Sequence, residues 1–167
     1  MKSATLCIPL IEKDRKILLG MKKRGFGEGK YNGFGGKLLD TESIEEAAVR
    51  ELREESGIRV LPENLIKCAE IKFFCPSVPN NEWDQVVSVF LVEKWEETPS
   101  ETEEMMPEWF SFDEIPYKKM WQDDSHWLPL VLSGKKIKAT FVFKEDNENI
   151  GSMNIEEVKV FEDEKQI

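Results

Sequence analysis

The sequence predicts a mixed α/β domain. Three observations lead there: one well-capped helix in the first third of the chain, apolar strand-like runs on both sides of it, and no linker or internal repeat in 167 residues. The last of these makes residues 1–167 a single domain. With 40% hydrophobic and 34% charged residues, the chain can bury an ordinary core.

Thr5–Ile11 is an apolar, strand-like run, Glu12-Lys13-Asp14-Arg15 a turn, and Lys16–Met21 a second strand. A basic, glycine-rich loop follows from Lys22 to Lys30. Six of the ten glycines fall between positions 25 and 36, a density that lets backbone amides approach a ligand closely or simply makes a flexible turn. Ser43–Ser56 reads as a helix, with Ser43 as N-cap, Glu46 completing a capping box and Gly57 as the stop. Strand-like runs come next at Leu65–Phe74 and Val86–Trp95. The acidic loop Glu96–Glu104 separates them from Glu108–Phe112, and Asp113-Glu114-Ile115-Pro116 opens a short helix or turn. His126–Leu132 is helical, interrupted by Pro129. Lys136–Phe143 and Met153–Phe161 are closing strands.

On the helix, steps of about 100° per residue place Ile44, Ala47 and Ala48 on one face. Glu51, Glu54 and Glu55 extend that face at i,i+3 and i,i+4 spacing, so the three carboxylates are neighbours. They repel one another and oppose the helix dipole at its C-terminal end. Two readings fit: a solvated acidic face, or a site where a divalent cation neutralises the cluster. All-oxygen ligands suit Mg²⁺, with Mn²⁺ as a substitute.

Acidic residues outnumber basic ones 33 to 23, a formal charge of −10. That argues against binding to a nucleic-acid polymer, which needs a basic face. It leaves open small phosphate ligands that arrive with a metal ion. Cys7, Cys68 and Cys75 form no CxxC, and one histidine, His126, gives them no zinc partner, so reduced thiols are expected. The run Ala4–Ile11 is too short for a secretory or membrane segment. A soluble cytoplasmic monomer is expected.

The spacing Gly36, Glu42, Arg50-Glu51-Leu52, Glu54-Glu55, Gly57-Ile58 resembles the Nudix box, over residues 36–58, without a mismatch. The resemblance implies an α/β/α sandwich with a central mixed β-sheet between helices, and hydrolysis of nucleoside diphosphates linked to another moiety. It makes Glu51, Glu54 and Glu55 metal ligands, with the Gly35 carbonyl beside them. Arg50 would orient these carboxylates and Glu42 would support the loop. Glu104 would be a further metal ligand or base.

Three more blocks carry a narrower resemblance: Leu19–Gly27, Tyr31–Lys37, and Met120–Ser125 with Trp127. Together with Glu104-Met105 they are similar to the vertebrate-type MutT-homologue branch of the family, the oxidised purine nucleoside triphosphatases. The chemistry of Asp123-Asp124 agrees with that. Two adjacent carboxyls in a partly dry pocket resist ionising together, so one can donate a hydrogen bond while the other accepts. Taken alone, the pair reads as a helix N-cap. Trp121 beside it offers a face for base stacking, and Asn32 an amide with both donor and acceptor. The resemblance adds Phe26, Phe73, Phe143, Phe34, Gln122, Lys22, Gly35, Gly36 and Lys37 as substrate-binding residues. Cys7 stands where relatives have a pocket threonine, and Pro76–Asp84 looks longer than in them. The implied reaction converts 8-oxo-dGTP and 2-oxo-dATP to a monophosphate and pyrophosphate. Two alternatives keep the fold: hydrolysis of dinucleoside polyphosphates, nucleotide sugars or methylated purine nucleotides, and nucleotide binding without catalysis.

Overall fold

A computed structural model describes residues 1–162. The acidic tail after Glu162 lies outside the described residues. Nine strands form a mixed sheet: β1 (Lys2–Ile11), β2 (Lys16–Lys22), β3 (Tyr31–Asn32), β4 (Phe34–Lys37), β5 (Leu65–Phe74), β6 (Gln85–Val92), β7 (Met105–Ser111), β8 (Lys136–Phe143) and β9 (Ile150–Val158). The main path runs β3-β2-β1-β6-β5-β8-β9, with β4 paired to β1 and β7 to β2. β1 runs parallel to β6, and β5 parallel to β8; the other pairs are antiparallel.

Two helices cover the sheet, α1 (Ile44–Ser56) and α2 (Asp124–Leu132). The Ser43 hydroxyl accepts from the Glu46 amide at 3.1 Å and starts α1. Gly57, at φ 79°, ends it in the left-handed conformation. Ala48 and Leu52 of α1 pack with Leu18, Phe34 and Phe90. Trp127, Leu128 and Val131 of α2 pack in a second cluster with Ile137, Ala139 and Phe141 of β8. The sheet is therefore buried by a helix layer on each side, as expected for the α/β/α sandwich.

Several boundaries differ from the sequence reading. The glycine-dense stretch 25–36 runs on past the Lys22–Lys30 loop into β3 and β4, which the sequence reading did not assign. β4 lies so close to β1 that a Cβ on Gly35 would sit 1.8 Å from the Thr5 carbonyl oxygen. Glycine here serves close backbone approach and not flexibility. β7 begins three residues earlier than expected, because Met105–Ser111 pairs in continuous register with Lys22–Lys16. Pro107 is tolerated there because β7 pairs with β2 alone. α2 starts at Asp124, two residues before His126, and Pro129 sits on its exposed side. β9 starts at Ile150, opposite Phe143, and ends before Phe161. Phe161 is fully buried, with the ammonium of Lys67 4.7 Å from its ring centre.

Candidate active site

A cavity of about 810 Å³ opens beside α1 and runs to the N-terminus of α2. Its two ends differ in chemistry.

At the first end, Glu55 turns in from the last turn of α1 and is 7% exposed, while Glu54 stays in solvent. The Gly35 amide donates to Glu55 Oε1 at 2.8 Å. Burial pushes the Glu55 pKa up to about 7; the Gly35 amide opposes the shift and the charges of Glu51 and Glu104 add to it. Burial raises Glu51 as well, against the hydrogen bond from Arg50. Arg50 is the organiser of this corner. Its Nη1 donates to Glu51 at 2.9 Å and to Glu54 at 3.2 Å, and its Nε and Nη2 donate to Glu42 at 2.6 and 2.8 Å. That fork holds the Glu42 pKa down at about 2. Glu42 in turn accepts from the Leu39 amide at 2.8 Å and ties down the loop before α1. A Cβ at Gly36 would lie 2.6 Å from Glu51 Oε1, so a side chain there would displace that carboxylate.

Glu104 reaches the same corner from the turn before β7. Its Oε2 accepts from Lys22 Nζ at 3.0 Å, and its Oε1 from Arg24 at 3.4 Å. Lys22 holds the Glu104 pKa below the usual range. The Thr102 hydroxyl fastens this turn to α1: it donates to the Glu55 carbonyl at 3.1 Å and accepts from the Glu104 and Met105 amides at 3.3 and 3.2 Å. Half-dry carboxylates that raise one another's pKa are the donor set a hard divalent cation suits. Among the described residues no three of them close on a common point, since Arg50 draws Glu51 and Glu54 to itself.

At the second end, Asp123 and Asp124 are 4% and 3% exposed. Asp123 stands at the head of α2 but its side chain caps nothing there. Instead its Oδ2 accepts from the buried Trp127 indole at 2.9 Å. Asp124 Oδ2 is buried without a hydrogen-bond partner. Burial raises both pKa values, and for Asp124 the charge of Asp123 adds to it. A carboxyl so placed holds its proton more tightly, and in the protonated form it offers a donor. Around the pair lie Trp121, Phe73, Phe143 and Asn32. Phe26 stacks on Trp121 with ring centres 5.1 Å apart, and Phe73 lies over Phe143 at 6.1 Å. Asn32 Oδ1 accepts from the Gly33 amide at 2.9 Å, which leaves its NH₂ as the group facing the cavity.

The cavity thus gathers Lys22, Phe26, Asn32, Gly35, Gly36, Lys37, Glu55, Phe73, Glu104, Trp121, Asp123, Asp124 and Phe143 from the residues expected at the site. Six of the expected residues do not line it: Arg50, Glu51 and Glu54, which hydrogen-bond to one another through the guanidinium, and Cys7, Phe34 and Gln122. Cys7 is fully buried on the α1 side of β1, its thiol 3.7 Å from the Ala48 carbonyl. Phe34 is likewise fully buried in that layer, where its ring and the Met105 methyl both crowd the place of a side chain at Gly20. Gln122 is exposed and turned away; it donates to Asn149 at 2.6 Å and accepts from the Ile150 amide, holding the β8–β9 hairpin. Trp83 and Asn147 line the cavity without having been singled out. Trp83 lies in the Pro76–Asp84 segment, whose length was the one signal available.

The family model for the NUDIX domain matches residues 1–131. The oxidized purine nucleoside triphosphate hydrolase of Mus musculus is 44% identical over 152 residues, covering 91% of this chain and 94% of that protein. The protein of the same name from Danio rerio is 45% identical over 142 residues, covering 85% and 88%. Among solved structures, a mutator MutT protein from Bacillus halodurans superposes with a TM-score of 0.80 at 24% identity, covering 93% of this chain and 98% of that one, a likeness of fold.

Proposed function

The chain belongs to the Nudix family, and from that premise we propose that it is a pyrophosphohydrolase of oxidised purine nucleoside triphosphates, with 8-oxo-dGTP and 2-oxo-dATP as substrates. The observation that carries this is the joining of two unlike carboxyl groups in one cavity. A dry pair, Asp123 and Asp124, with an unpartnered oxygen meets the base. A cluster of acids and lysines meets the phosphates. Its relatives' names support the same reading.

Glu51, Glu54, Glu55 and Glu104, with the Gly35 carbonyl, would hold Mg²⁺ (or Mn²⁺), which when bound neutralises phosphate oxygens and activates water. The chain's own residues do the rest. Lys22 and Lys37 bring positive charge to the phosphate corner. Glu54, Glu55 or Glu104 would serve as base for the attacking water. Arg50 fixes the carboxylates without touching substrate. At the other end a protonated Asp123 or Asp124 donates to an acceptor on the purine edge while its neighbour accepts. Exchange of these roles allows two different oxidised bases in one pocket. Products are the nucleoside monophosphate and pyrophosphate.

The protein would act as one domain, a cytoplasmic monomer, on free nucleotides and not on polymers or membranes. The net charge of −10 supports the absence of a nucleic-acid surface. No helix among the described residues is long and apolar enough to cross a membrane. The test is steady-state hydrolysis over a panel of oxidised and normal nucleotides with Mg²⁺. Preference for 8-oxo-dGTP or 2-oxo-dATP is expected; equal kcat/KM for dGTP and 8-oxo-dGTP overturns the oxidised-purine reading.

A further inference from the structure

We propose that Trp83 is a specificity-determining residue, closing over the outer edge of a bound purine and so selecting two-ring bases. The inference rests on the purine-nucleotide reading above and extends it to a residue outside the Nudix box and outside the Asp123-Asp124 block.

Trp83 sits between β5 and β6, at the mouth of the cavity. Its ring meets Phe26 edge-on, with centres 4.8 Å apart and planes at 61°, and Phe26 stacks on Trp121. The three rings form a continuous wall, shared with a smaller outer cavity of about 410 Å³ that Asp146, Asn147 and Glu148 also line. Trp83 is 40% exposed and Phe26 66%, and neither belongs to either core cluster. Large apolar surface left open side by side at a cavity mouth is surface a ligand covers. The backbone that presents Trp83 is pinned on both sides. The Glu82 carbonyl accepts from Lys2 Nζ at 3.2 Å, and Asp84 Oδ1 accepts from the Cys75 amide at 2.9 Å. The edge-on contact with Phe26 positions the ring itself, so less ordering is lost when a ligand meets it.

Selectivity follows from the two ends of the pocket. The hydrogen-bonding floor is Asp123 and Asp124, and the aromatic mouth is Trp83 with Phe26. A base that pairs with the floor must also reach the mouth to gain contact with Trp83. A purine spans both; a single-ring pyrimidine on the same floor leaves Trp83 uncovered.

The test compares Trp83→Ala, Trp83→Leu and Trp83→Phe in the full chain, using 8-oxo-dGTP and dCTP, with kcat, KM and melting temperature read for each. Trp83→Ala and Trp83→Leu are expected to raise KM for 8-oxo-dGTP roughly 10-fold, with kcat held within about 2-fold, as for loss of one aromatic contact to a base. The ratio of kcat/KM for 8-oxo-dGTP over dCTP falls by the same factor, and Trp83→Phe restores most of it. Trp83→Leu fills the space without an aromatic face, so it keeps the test open if the alanine variant folds poorly. Unchanged KM, equal losses for both nucleotides, or a fall in kcat alone overturns the proposal. If the unmodified protein itself does not prefer 8-oxo-dGTP, the purine reading fails first; if it does and the variants keep that preference, the role of Trp83 alone fails.

Discussion

The two ends of the cavity are built from the same functional group and use it in opposite ways. At the α1 end, Glu42 and Glu104 sit against Arg50 and Lys22, which hold them ionised, and Glu51 shares Arg50 with Glu54. At the α2 end, no ion pair reaches Asp123 or Asp124 among the described residues, and the Trp127 indole N–H donates to Asp123. Desolvation then wins, and both pKa values rise. Glu55 is buried like the aspartates but faces Glu51, Glu104 and Lys22, and burial likewise raises its pKa, to about 7. Carboxyl function in this protein is thus set by partners and dryness, not by residue type.

Glu55→Gln breaks the α1 end most severely. Loss of a proton acceptor and of one oxygen ligand lowers kcat on the order of 10³-fold in saturating Mg²⁺. A variant keeping more than a tenth of the activity contradicts its placement, provided circular dichroism shows an intact fold.

Asp124→Asn attacks the other end with a smaller effect on turnover. Selectivity for oxidised over normal purines drops about 10- to 100-fold, the worth of one good bidentate contact. Stability moves the other way. Because burial raises the Asp124 pKa, the folded protein retains a proton that the unfolded chain releases above about pH 4. Stability is therefore full below that value and is lost as pH rises through the folded pKa. Removing the carboxyl removes that loss, so Asp124→Asn melts about 3 °C higher than the unmodified protein at pH 8, with a flatter profile between pH 5 and 8. Asp123 and Glu55 titrate with the same sign, so the profile flattens without becoming level. A steeper profile in the variant refutes the assignment.

Arg50→Lys keeps the charge and loses the fork. We expect the Mg²⁺ concentration for half-maximal activity to rise about 10-fold, with KM for nucleotide nearly unchanged. Thr102→Ala is the mildest change. Freeing the Glu104 turn from α1 costs roughly 3-fold in kcat, within the range of one neutral hydrogen bond, and Thr102→Ser restores it. No rescue by serine would separate Thr102 from the site.

The α1 segment was legible in detail because its signals are local. Ser43 and Gly57 bound the helix, and its i,i+3 and i,i+4 carboxylates are neighbours by helix geometry alone. β5 and β8 fall on the runs read from the sequence, residue for residue. Cys7 and Phe34 show where that kind of reading stops. Cys7 was placed in the right strand and Phe34 in none, and both strands lie between two apolar layers, so alternation does not say which layer a side chain enters. Gln122 fails for a related reason: it adjoins Asp123 in sequence, but it lies in the turn before α2, and its side chain bonds Asn149 and the Ile150 amide instead. Trp83 gave no periodic signal at all, since it lies in a segment with no regular structure of its own.

The sequence by itself determined which carboxyls exist, their spacing, the capped helix that carries three of them, and the family to which they belong. These depend on residues a few positions apart. Only the tertiary structure decided that Glu54 stays in solvent while Glu55 is buried, that Arg50 clasps Glu42 from eight positions away, and that Asp124 keeps an oxygen without a partner. Solvent exclusion and distant partners set a proton's affinity, and both are made by elements far apart in the chain.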